Sequence, residues 1–431
     1  MSVPVTEIGF ESRQVNGIGL HVLKTAKFKT ITLVVLIEQA LSEENVTKTA
    51  LLAHLLKRAT SRLPDSLALR QHLDYLYGAV FDVDVVKKGE RQILQLYLEV
   101  PHEQFLSSEE RLLEQAVQFV GDVLTRPYLE NGAFAEKYLA AEKESLRKRI
   151  DSIIDDKIKY ANQRITEEMC KGEPYALLVY GRTADLPAIT AAGLYQYYRE
   201  LLAHNPLHVF VVGDVERDQV EQYLARHLQV ERGEPAQLPP TVVQKAVGEV
   251  REVVERLDVT QGKLHIGCRT QISYRDDDYP ALVMVNGILG GFPHSKLFLN
   301  VREKASLAYY AASRLDSHKG VLMMMAGIDV AQYEKAKAIM LEQLRLVQEG
   351  RISELEIKQT KATLANQYRE LLDSARLLID FTYNGMLSGR RRSLGELLQQ
   401  MEEVDMDDLT RAASRIQIDT IYLLRDNKGG A

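Results

Sequence analysis

The chain has 431 residues, of which 45% are hydrophobic and 26% are charged. This is a globular composition in a chain too long for one core, because domains usually hold about 100–200 residues, so we expect about two to four domains. The composition excludes a small disulfide-bonded scaffold, a collagen-like fibre and a mostly disordered chain. With 54 Lys and Arg against 60 Asp and Glu, the net charge of −6 offers no basic excess for DNA or an anionic membrane.

The cysteines and the N-terminus indicate the compartment. Cys170 and Cys268 are far apart in sequence and exclude a disulfide framework, so we expect buried free thiols in a reducing cytosol. The N-terminus lacks the basic and apolar regions of a secretory signal. Apolar runs such as 31–37 are far shorter than the roughly 20 residues of a membrane span. We therefore expect a cytoplasmic protein with no nucleic-acid and no membrane partner.

The first half of the chain predicts an alternation of paired strands and helices. Ser42 is the expected N-cap of the first helix, and Gly89 suits the positive φ of a hairpin connection. The predicted elements are strands at 17–23 and 30–37, helices at 42–58 and 66–77, strands at 79–87 and 91–100, helices at about 108–125, 132–170 and 190–203, a strand at 208–215 and a helix at 217–227.

A break in this alternation separates the two halves. Residues 231–240 contain three prolines and a glycine without apolar periodicity, which is typical of a linker. A capping box at Ser353 and Glu356 then opens a helix expected to reach about residue 382. The other predicted elements are strands at 251–258 and 263–269, helices at 279–289 and 295–303, strands at 308–315 and 321–330, a helix at 407–415 and a strand at 420–425.

The order of elements recurs at an offset of roughly 210–230 residues, which is the pattern of an internal duplication. We therefore predict an α+β protein with two homologous domains in tandem. The first domain covers residues 1–230, a linker covers 231–248, and the second domain covers 249–431. The alternative is that any α+β chain alternates in this way without a duplication.

Standard catalytic motifs are absent from the sequence. Phosphate-binding P-loops, dinucleotide-binding glycine motifs, the Gly-x-Ser-x-Gly elbow and both orders of the His/Glu zinc motif do not occur. His204 and His208 are four residues apart, but Asn205 and Pro206 would interrupt any helix that aligned them. Because a metal site needs three or more converging ligands, spacing alone predicts none.

One segment is nevertheless informative. Residues 47–60, TKTALLAHLLKRAT, resemble the zinc-binding helix of the pitrilysin/insulinase family, which includes the mitochondrial processing peptidases. Active members carry His-x-x-Glu-His there, with two zinc-binding histidines on one helix face and a glutamate that activates water. On this pattern only His54 remains, while Ala50 stands at the first ligand and Ala53 at the general base.

The same resemblance implies a third zinc ligand on a later helix, where active members have a glutamate. Aligning 153–156 with the family's acidic patch places Arg149 there, with Glu142 and Glu144 as weaker candidates upstream. A guanidinium cannot bind a cation, and one imidazole cannot hold catalytic zinc. The resemblance therefore implies a degenerate zinc site with no catalytic residue and no metal in this chain.

Other segments carry the resemblance as well. They include 174–186 in the first half and 289–309 in the second half. The family fold is one half of a clam-shell built from two metallopeptidase-like domains, similar to those of LuxS and the processing peptidases. Residues 76–79 and 87–89 resemble an inactive bacterial branch whose members are zinc-free partners of an intact paralogue.

Arg302 and Tyr309 match a pair that binds the substrate backbone in the second domain of family members. Arginine offers a fixed fork of donors, and a tyrosine hydroxyl can polarise a carbonyl or stabilise an oxyanion. The alternative is a surface arginine paired with Glu303 and a tyrosine packed in the core.

The resemblance, with these residues, implies a non-catalytic subunit that pairs with an active His-x-x-Glu-His paralogue to bind and process a peptide or small unfolded protein. Zinc is expected in the partner and not in this chain, and a homodimer is possible when the partner is absent. One alternative is a scaffold or binding protein with no role in proteolysis. The other is an active zinc peptidase with atypical ligands, such as His54 with Glu142 and a distant residue.

Overall fold

The computed structural model describes residues 9–106 and 111–427. The strands are β1 (Glu11–Val15), β2 (Ile18–Lys24), β3 (Thr30–Ala40), β4 (Val80–Lys88), β5 (Arg91–Pro101), β6 (Leu129–Glu130), β7 (Ala133–Phe134), β8 (Leu207–Gly213), β9 (Arg251–Arg256), β10 (Gly262–Arg269), β11 (Ala308–Asp316), β12 (Val321–Ile328) and β13 (Gln417–Arg425). The α-helices are α1 (Val46–Leu56), α2 (Ser66–Tyr75), α3 (Leu112–Thr125), α4 (Glu136–Asp151), α5 (Lys157–Met169), α6 (Ala191–His204), α7 (Arg217–His227), α8 (Tyr279–Asn286), α9 (Tyr333–Gln348), α10 (Glu354–Glu370), α11 (Ala375–Ser388), α12 (Leu394–Glu403) and α13 (Met406–Ser414).

Two large sheets share one topology. The first has the order β1-β2-β8-β3-β5-β4, and the second, read in the same direction, has the order β9-β13-β10-β12-β11. When β1 is set aside, the two sheets match strand by strand. The pairs β2/β8 and β9/β13 are parallel, and all other pairs are antiparallel in both sheets. This repeat of order and direction confirms the predicted tandem pair of α+β domains.

Alternation along the central strands gives each sheet two buried faces. In β3, Ile31 and Leu33 belong to the core under the helices of the first domain, while Val34 and Leu36 belong to a separate cluster on the opposite face. A strand buried on both faces reads as a continuous apolar run, as β3 does. Each sheet therefore needs a helical cover on both sides.

That second cover comes from the other half of the chain. Helix α11 of the second half places Leu378 and Ile379 against the outer face of the first sheet. Helix α5 of the first half places Ala161 and Ile165 against Tyr422 on the outer face of the second sheet. Since a helix from each domain packs on the sheet of the other domain, the two domains form one packed unit.

The packing of α5 and α11 on the sheet of the other domain explains why two helices are shorter than predicted. The helix predicted at 132–170 is interrupted by a turn, and α5 restarts with Asp156 accepting hydrogen bonds from the amides of Ile158 and Lys159. The helix predicted to reach residue 382 ends at Glu370, and Ser374 caps a new helix, α11. In both cases the chain turns so that the next helix can cross to the other sheet. The capping box at Ser353 and Glu356 is confirmed.

The start of α1 also differs from the prediction. The N-cap is Asn45, whose amide donates to the Ser42 carbonyl oxygen across a turn, so Ser42 is not the cap. The predicted positive φ of Gly89 in the β4–β5 hairpin is confirmed.

The predicted linker carries neither helix nor strand, but hydrogen bonds hold it against both halves. The amide of Glu90 donates to Thr241 Oγ1, and the amide of Val242 donates to Glu90 Oε2, at 3.0 and 3.2 Å. Lys319 Nζ of the second half donates to the Val242 carbonyl oxygen at 2.7 Å. The segment therefore ties the first domain to the second instead of forming a loose connection.

An ion cluster lies buried between the domains, formed by Lys319, Glu90, Glu173, Arg269 and Asp419. The Lys319 side chain is 0% exposed and lies 2.7 Å from both Glu90 Oε1 and Glu173 Oε2. Arg269 Nη2 contacts Glu173 Oε1 at 2.6 Å and Arg269 Nε contacts Asp419 Oδ2 at 3.1 Å. Because every charge in this interdomain ion cluster has an opposite partner, its burial is tolerated.

Two predictions about the whole chain are tested by the described residues. Cys170 and Cys268 are both buried and free, as predicted. None of the helices within residues 9–106 and 111–427 has the length and apolar character that crossing a membrane requires.

Candidate functional site

A cleft of about 630 Å³ opens in the first domain between α1, α2, strand β4 and α4. Helix α1 presents His54 to this cleft, while Ala50 and Ala53 are buried against the core. The charged side chains that line the cleft besides His54 are Lys57, Arg58, Arg70, Asp82, Asp84, Glu142 and Arg149. The structure thus brings three of the sequence-predicted residues, His54, Glu142 and Arg149, to one cleft.

Glu142 joins α4 to α1. Its Oε2 lies 3.3 Å from His54 Nδ1, and its Oε1 accepts a hydrogen bond from Arg58 Nη1 at 2.5 Å. Burial acts to raise the pKa of Glu142, but the hydrogen bonds from His54 and Arg58 outweigh it and hold the pKa below its ordinary value. The carboxylate is therefore ionised and uses both of its oxygens within the protein.

Arg149 joins α4 to β4. Its two terminal nitrogens donate to Asp84 Oδ1 and Oδ2 at 2.9 and 2.7 Å, which is the bidentate geometry of a strong arginine–carboxylate pair. Nη2 also donates to the Tyr180 hydroxyl at 2.7 Å, and the guanidinium carbon lies 3.8 Å from the centre of the Tyr180 ring. A third pair links Lys57 to Asp82. Ion pairs thus fix the walls of the cleft.

The side chains present do not fit the zinc ion that the family resemblance implies. Ala50 and Ala53 carry no ligand atom, and the Arg149 guanidinium is a cation. Glu142 is the carboxylate beside His54, and Arg58 already occupies it. Glu144 is turned to solvent and pairs with Arg147. Across residues 9–106 and 111–427, no group of three or more His, Cys, Asp or Glu side chains is placed to hold a metal ion.

Several residues of this cleft escaped the sequence analysis, although the sequence carries a signal for them. Arg58 follows His54 by four residues and lies in the turn that ends α1, where its amide donates to the Leu55 carbonyl oxygen. Asp82 and Asp84 alternate with Val83 and Val85 along β4, which places both carboxylates on one face of the strand.

The predicted substrate-binding pair lies in the second domain, at the edge strand β11. Tyr309 is 82% exposed, so the alternative of a core tyrosine is wrong. Strand pairing steps from Ala308 opposite Ile328 to Tyr310 opposite Gly327, which leaves Tyr309 as the extra residue of a β-bulge. Bulges at sheet edges redirect side chains, and this one turns the Tyr309 side chain to solvent.

Arg302 lies just before β11 in a π-helical segment, Phe298–Lys304. Its guanidinium carbon lies 4.5 Å from the centre of the Phe298 ring, and its Nη1 lies 3.7 Å from Glu303 Oε1. The contact with Glu303 is therefore present but too long for a hydrogen bond. Within the described part of the chain, no hydrogen bond or ion pair connects Arg302 or Tyr309 with the first-domain cleft.

Comparisons with known proteins agree with this architecture. A family model described as "Peptidase M16 inactive domain" matches residues 188–364. The curated protein "Probable inactive metalloprotease YmfF" of Bacillus subtilis (strain 168) is 42% identical over 415 residues, covering 96% of this chain and 97% of that protein. The crystal structure of a conserved protein from Enterococcus faecalis V583 superposes with a TM-score of 0.91 at 32% identity, over 98% of this chain and 100% of that chain.

The duplicated α+β fold, matched by the family model, defines a metallopeptidase-like class of protein. The chain belongs to the M16 peptidase family. A further relative, 21% identical over 322 residues covering 69% of this chain and 67% of its own, is the "Mitochondrial-processing peptidase subunit beta" of Saccharomyces cerevisiae. The family therefore includes at least one protein that is a subunit by name.

Proposed function

We propose that this chain is the zinc-free subunit of a peptidase pair. In this proposal, an active paralogue supplies the zinc ion and the general base. This chain supplies one half of the enclosing wall and binds an extended peptide or a small unfolded protein in the cytoplasm. The observation that carries the proposal is the cleft itself, where Arg58 and Arg149 neutralise Glu142 and Asp84 and leave no ligand set for a metal.

The second domain supports the same proposal. Among the described strands, β11 is paired only with β12, and an edge of this kind can accept an extended peptide as an added strand. The bulge directs the Tyr309 hydroxyl away from the core, and Arg302 lies on the segment that leads into the strand. Both side chains are free to contact a peptide bound at this edge or in the partner's site.

The test is peptide cleavage by the chain co-expressed and co-purified with its intact paralogue. Arg302→Ala should lower kcat/KM of the pair by about tenfold or more, because one charge-assisted donor to a substrate carbonyl contributes about 1.5–3 kcal/mol. Tyr309→Phe, which removes only the hydroxyl, should lower kcat/KM to a smaller extent. Arg369→Ala, an exposed arginine on α10, serves as the matched control and should leave cleavage unchanged.

A scaffold with no role in proteolysis gives a different result in the same assay. In that case Arg302→Ala and Tyr309→Phe would leave the kinetics of the pair at the wild-type level, while co-purification with the paralogue persisted. Cleavage by the chain in the absence of the paralogue would contradict the proposal outright.

A further inference from the structure

The charges in the first-domain cleft point to the kind of peptide that it accepts. We infer that the cleft selects a peptide carrying a carboxylate, which Arg70 binds. This inference rests on the proposed function, since it requires that the cleft binds a peptide. It adds a substrate class and a residue that determines specificity.

The inference begins with the pairing of charges in the cleft. Each of its three carboxylates has a cationic partner: Asp82 pairs with Lys57, Asp84 pairs with Arg149, and Glu142 pairs with Arg58. Glu142 has one carboxylate oxygen in contact with Arg58 and the other in contact with His54. Both carboxylate oxygens of Asp84 accept hydrogen bonds from Arg149. A basic side chain entering the cleft would have to displace one of these cations, so the built-in pairs oppose a lysine or arginine of a ligand.

Arg70 is the cationic side chain of the cleft that pairs with none of these three carboxylates. It lies on α2, its side chain is exposed, and it has no hydrogen-bond or ion-pair partner among residues 9–106 and 111–427. The helix around it is anchored by Leu69, which is buried in the first core. The backbone position of Arg70 at the cleft wall is therefore set by the fold, while its exposed guanidinium is available to a ligand.

The surroundings of Arg70 favour a carboxylate that belongs to a peptide over a free ion. Leu73, three residues after Arg70 on α2, and Phe81 on β4 line the same cleft and are partly buried, so the cleft that Arg70 lines also offers apolar surface. An extended peptide could place an apolar side chain on that surface and a carboxylate against the donor fork. The carboxylate could belong to an aspartate or glutamate side chain or to the C-terminus of the peptide, and the experiment separates these two sources.

The test uses short fluorescein-labelled peptides of alanine, valine and glutamine and measures their binding to the full chain by fluorescence anisotropy. One series carries a glutamate, glutamine or lysine at each position in turn with an amidated C-terminus. A second series has no acidic residue and compares a free with an amidated C-terminus. The proteins are the wild type, Arg70→Gln, Arg70→Glu and the control Arg369→Glu, each measured alone and with the paralogue.

At low ionic strength the wild type should bind the best glutamate peptide or the free-acid peptide about threefold more tightly than its neutral counterpart. Arg70→Gln should abolish this difference, and Arg70→Glu should reverse it in favour of lysine, while Arg369→Glu behaves as the wild type. Peptides that bind equally regardless of charge, or a preference that survives Arg70→Glu, would overturn the inference and leave the proposed function standing. Failure of every peptide to bind, alone and with the paralogue, would overturn both.

Discussion

Replacing Lys319 with methionine should lower the free energy of unfolding by about 3–5 kcal/mol, because removing one partner of a buried ion pair leaves an uncompensated charge. In the wild type, Lys319 Nζ neutralises Glu90 and Glu173 and donates to the Val242 carbonyl oxygen. Glu173 keeps Arg269 and Lys245 after the change, but the buried carboxylate of Glu90 loses its cation. Urea denaturation followed by circular dichroism measures the loss.

Two further variants show whether the loss comes from the charge. Lys335→Met, at an exposed position on α9, should change stability by less than about 0.5 kcal/mol. Adding Glu90→Gln to Lys319→Met should recover part of the loss, since no ionised carboxylate then remains unpaired. Equal losses in the single and double variants would show that packing, and not charge, carries the effect.

The interdomain ion cluster also predicts how the protein responds to acid. Burial acts to raise the pKa of Glu173, but hydrogen bonds from Arg269, Lys245 and Lys319 lower it from 4.5 to about 2. A carboxyl group with a lowered pKa in the folded state stabilises the protein fully above pH 4.5 and loses that contribution as the pH falls towards 2. The free energy of unfolding should therefore fall less steeply between pH 4.5 and 2 in Lys319→Met than in the wild type. Denaturation curves measured across this pH range would show the difference.

Placing ligand atoms at positions 50 and 149 of the first-domain cleft should create a zinc site, since the side chains described there include no group of three ligands. Position 50 is buried one turn before His54 on α1, so in the combined variant Ala50→His and Arg149→Glu the new imidazole would stand beside His54, with a glutamate on α4 at the same cleft. Three such ligands with an open fourth position are the pattern of catalytic zinc sites. We expect the purified variant to retain close to one zinc ion per chain and its melting temperature to rise on addition of zinc.

The single variants are the controls for this experiment. Ala50→His alone leaves Glu142 paired with Arg58 and the Arg149 guanidinium in the cleft, and Arg149→Glu alone offers one imidazole with carboxylates. Neither should retain zinc through gel filtration. A combined variant that folds but binds zinc no better than these controls would show that the helix face does not have the geometry of a metal site.

The sheets and the duplication could be predicted from the sequence because their signals are local. The apolar run of β3, the Gly89 turn and the capping box at Ser353 each depend on neighbouring residues. Helix α9 was missed although its buried residues Ala336, Met340 and Leu344 recur every four positions, so the signal was there. Strand β1 was missed for a physical reason: it is a polar edge strand in which only Val15 is buried.

The exchange of helices between the domains could not be predicted in this way. Periodicity shows that α5 and α11 are amphipathic, but it does not show which sheet covers their apolar faces. The break before Ser374 is required by a contact with strands more than 150 residues away in the chain, as the packing of Ile379 and Tyr383 on Phe210 shows.

In the candidate site, too, the residues of a local motif could be predicted, while the contacts between distant segments could not. His54, Ala50 and Ala53 were identified from a motif within one helix, and their places on α1 follow from it. The partners of His54 and Arg149 come from distant segments, since Glu142 lies 88 residues from His54 and Asp84 lies 65 residues from Arg149. The exposure of Tyr309 depends on a bulge set by pairing with β12, which the sequence of β11 alone does not reveal.

The zinc content of the wild-type chain tests the central claim most directly. The chain, expressed alone and purified without chelators in buffer containing zinc, should carry far less than one zinc ion per molecule by mass spectrometry of the metal. The co-purified pair should carry about one zinc ion, contributed by the paralogue. Near-stoichiometric zinc in the chain alone, lost in His54→Ala, would contradict the account and restore the alternative of an active enzyme with atypical ligands.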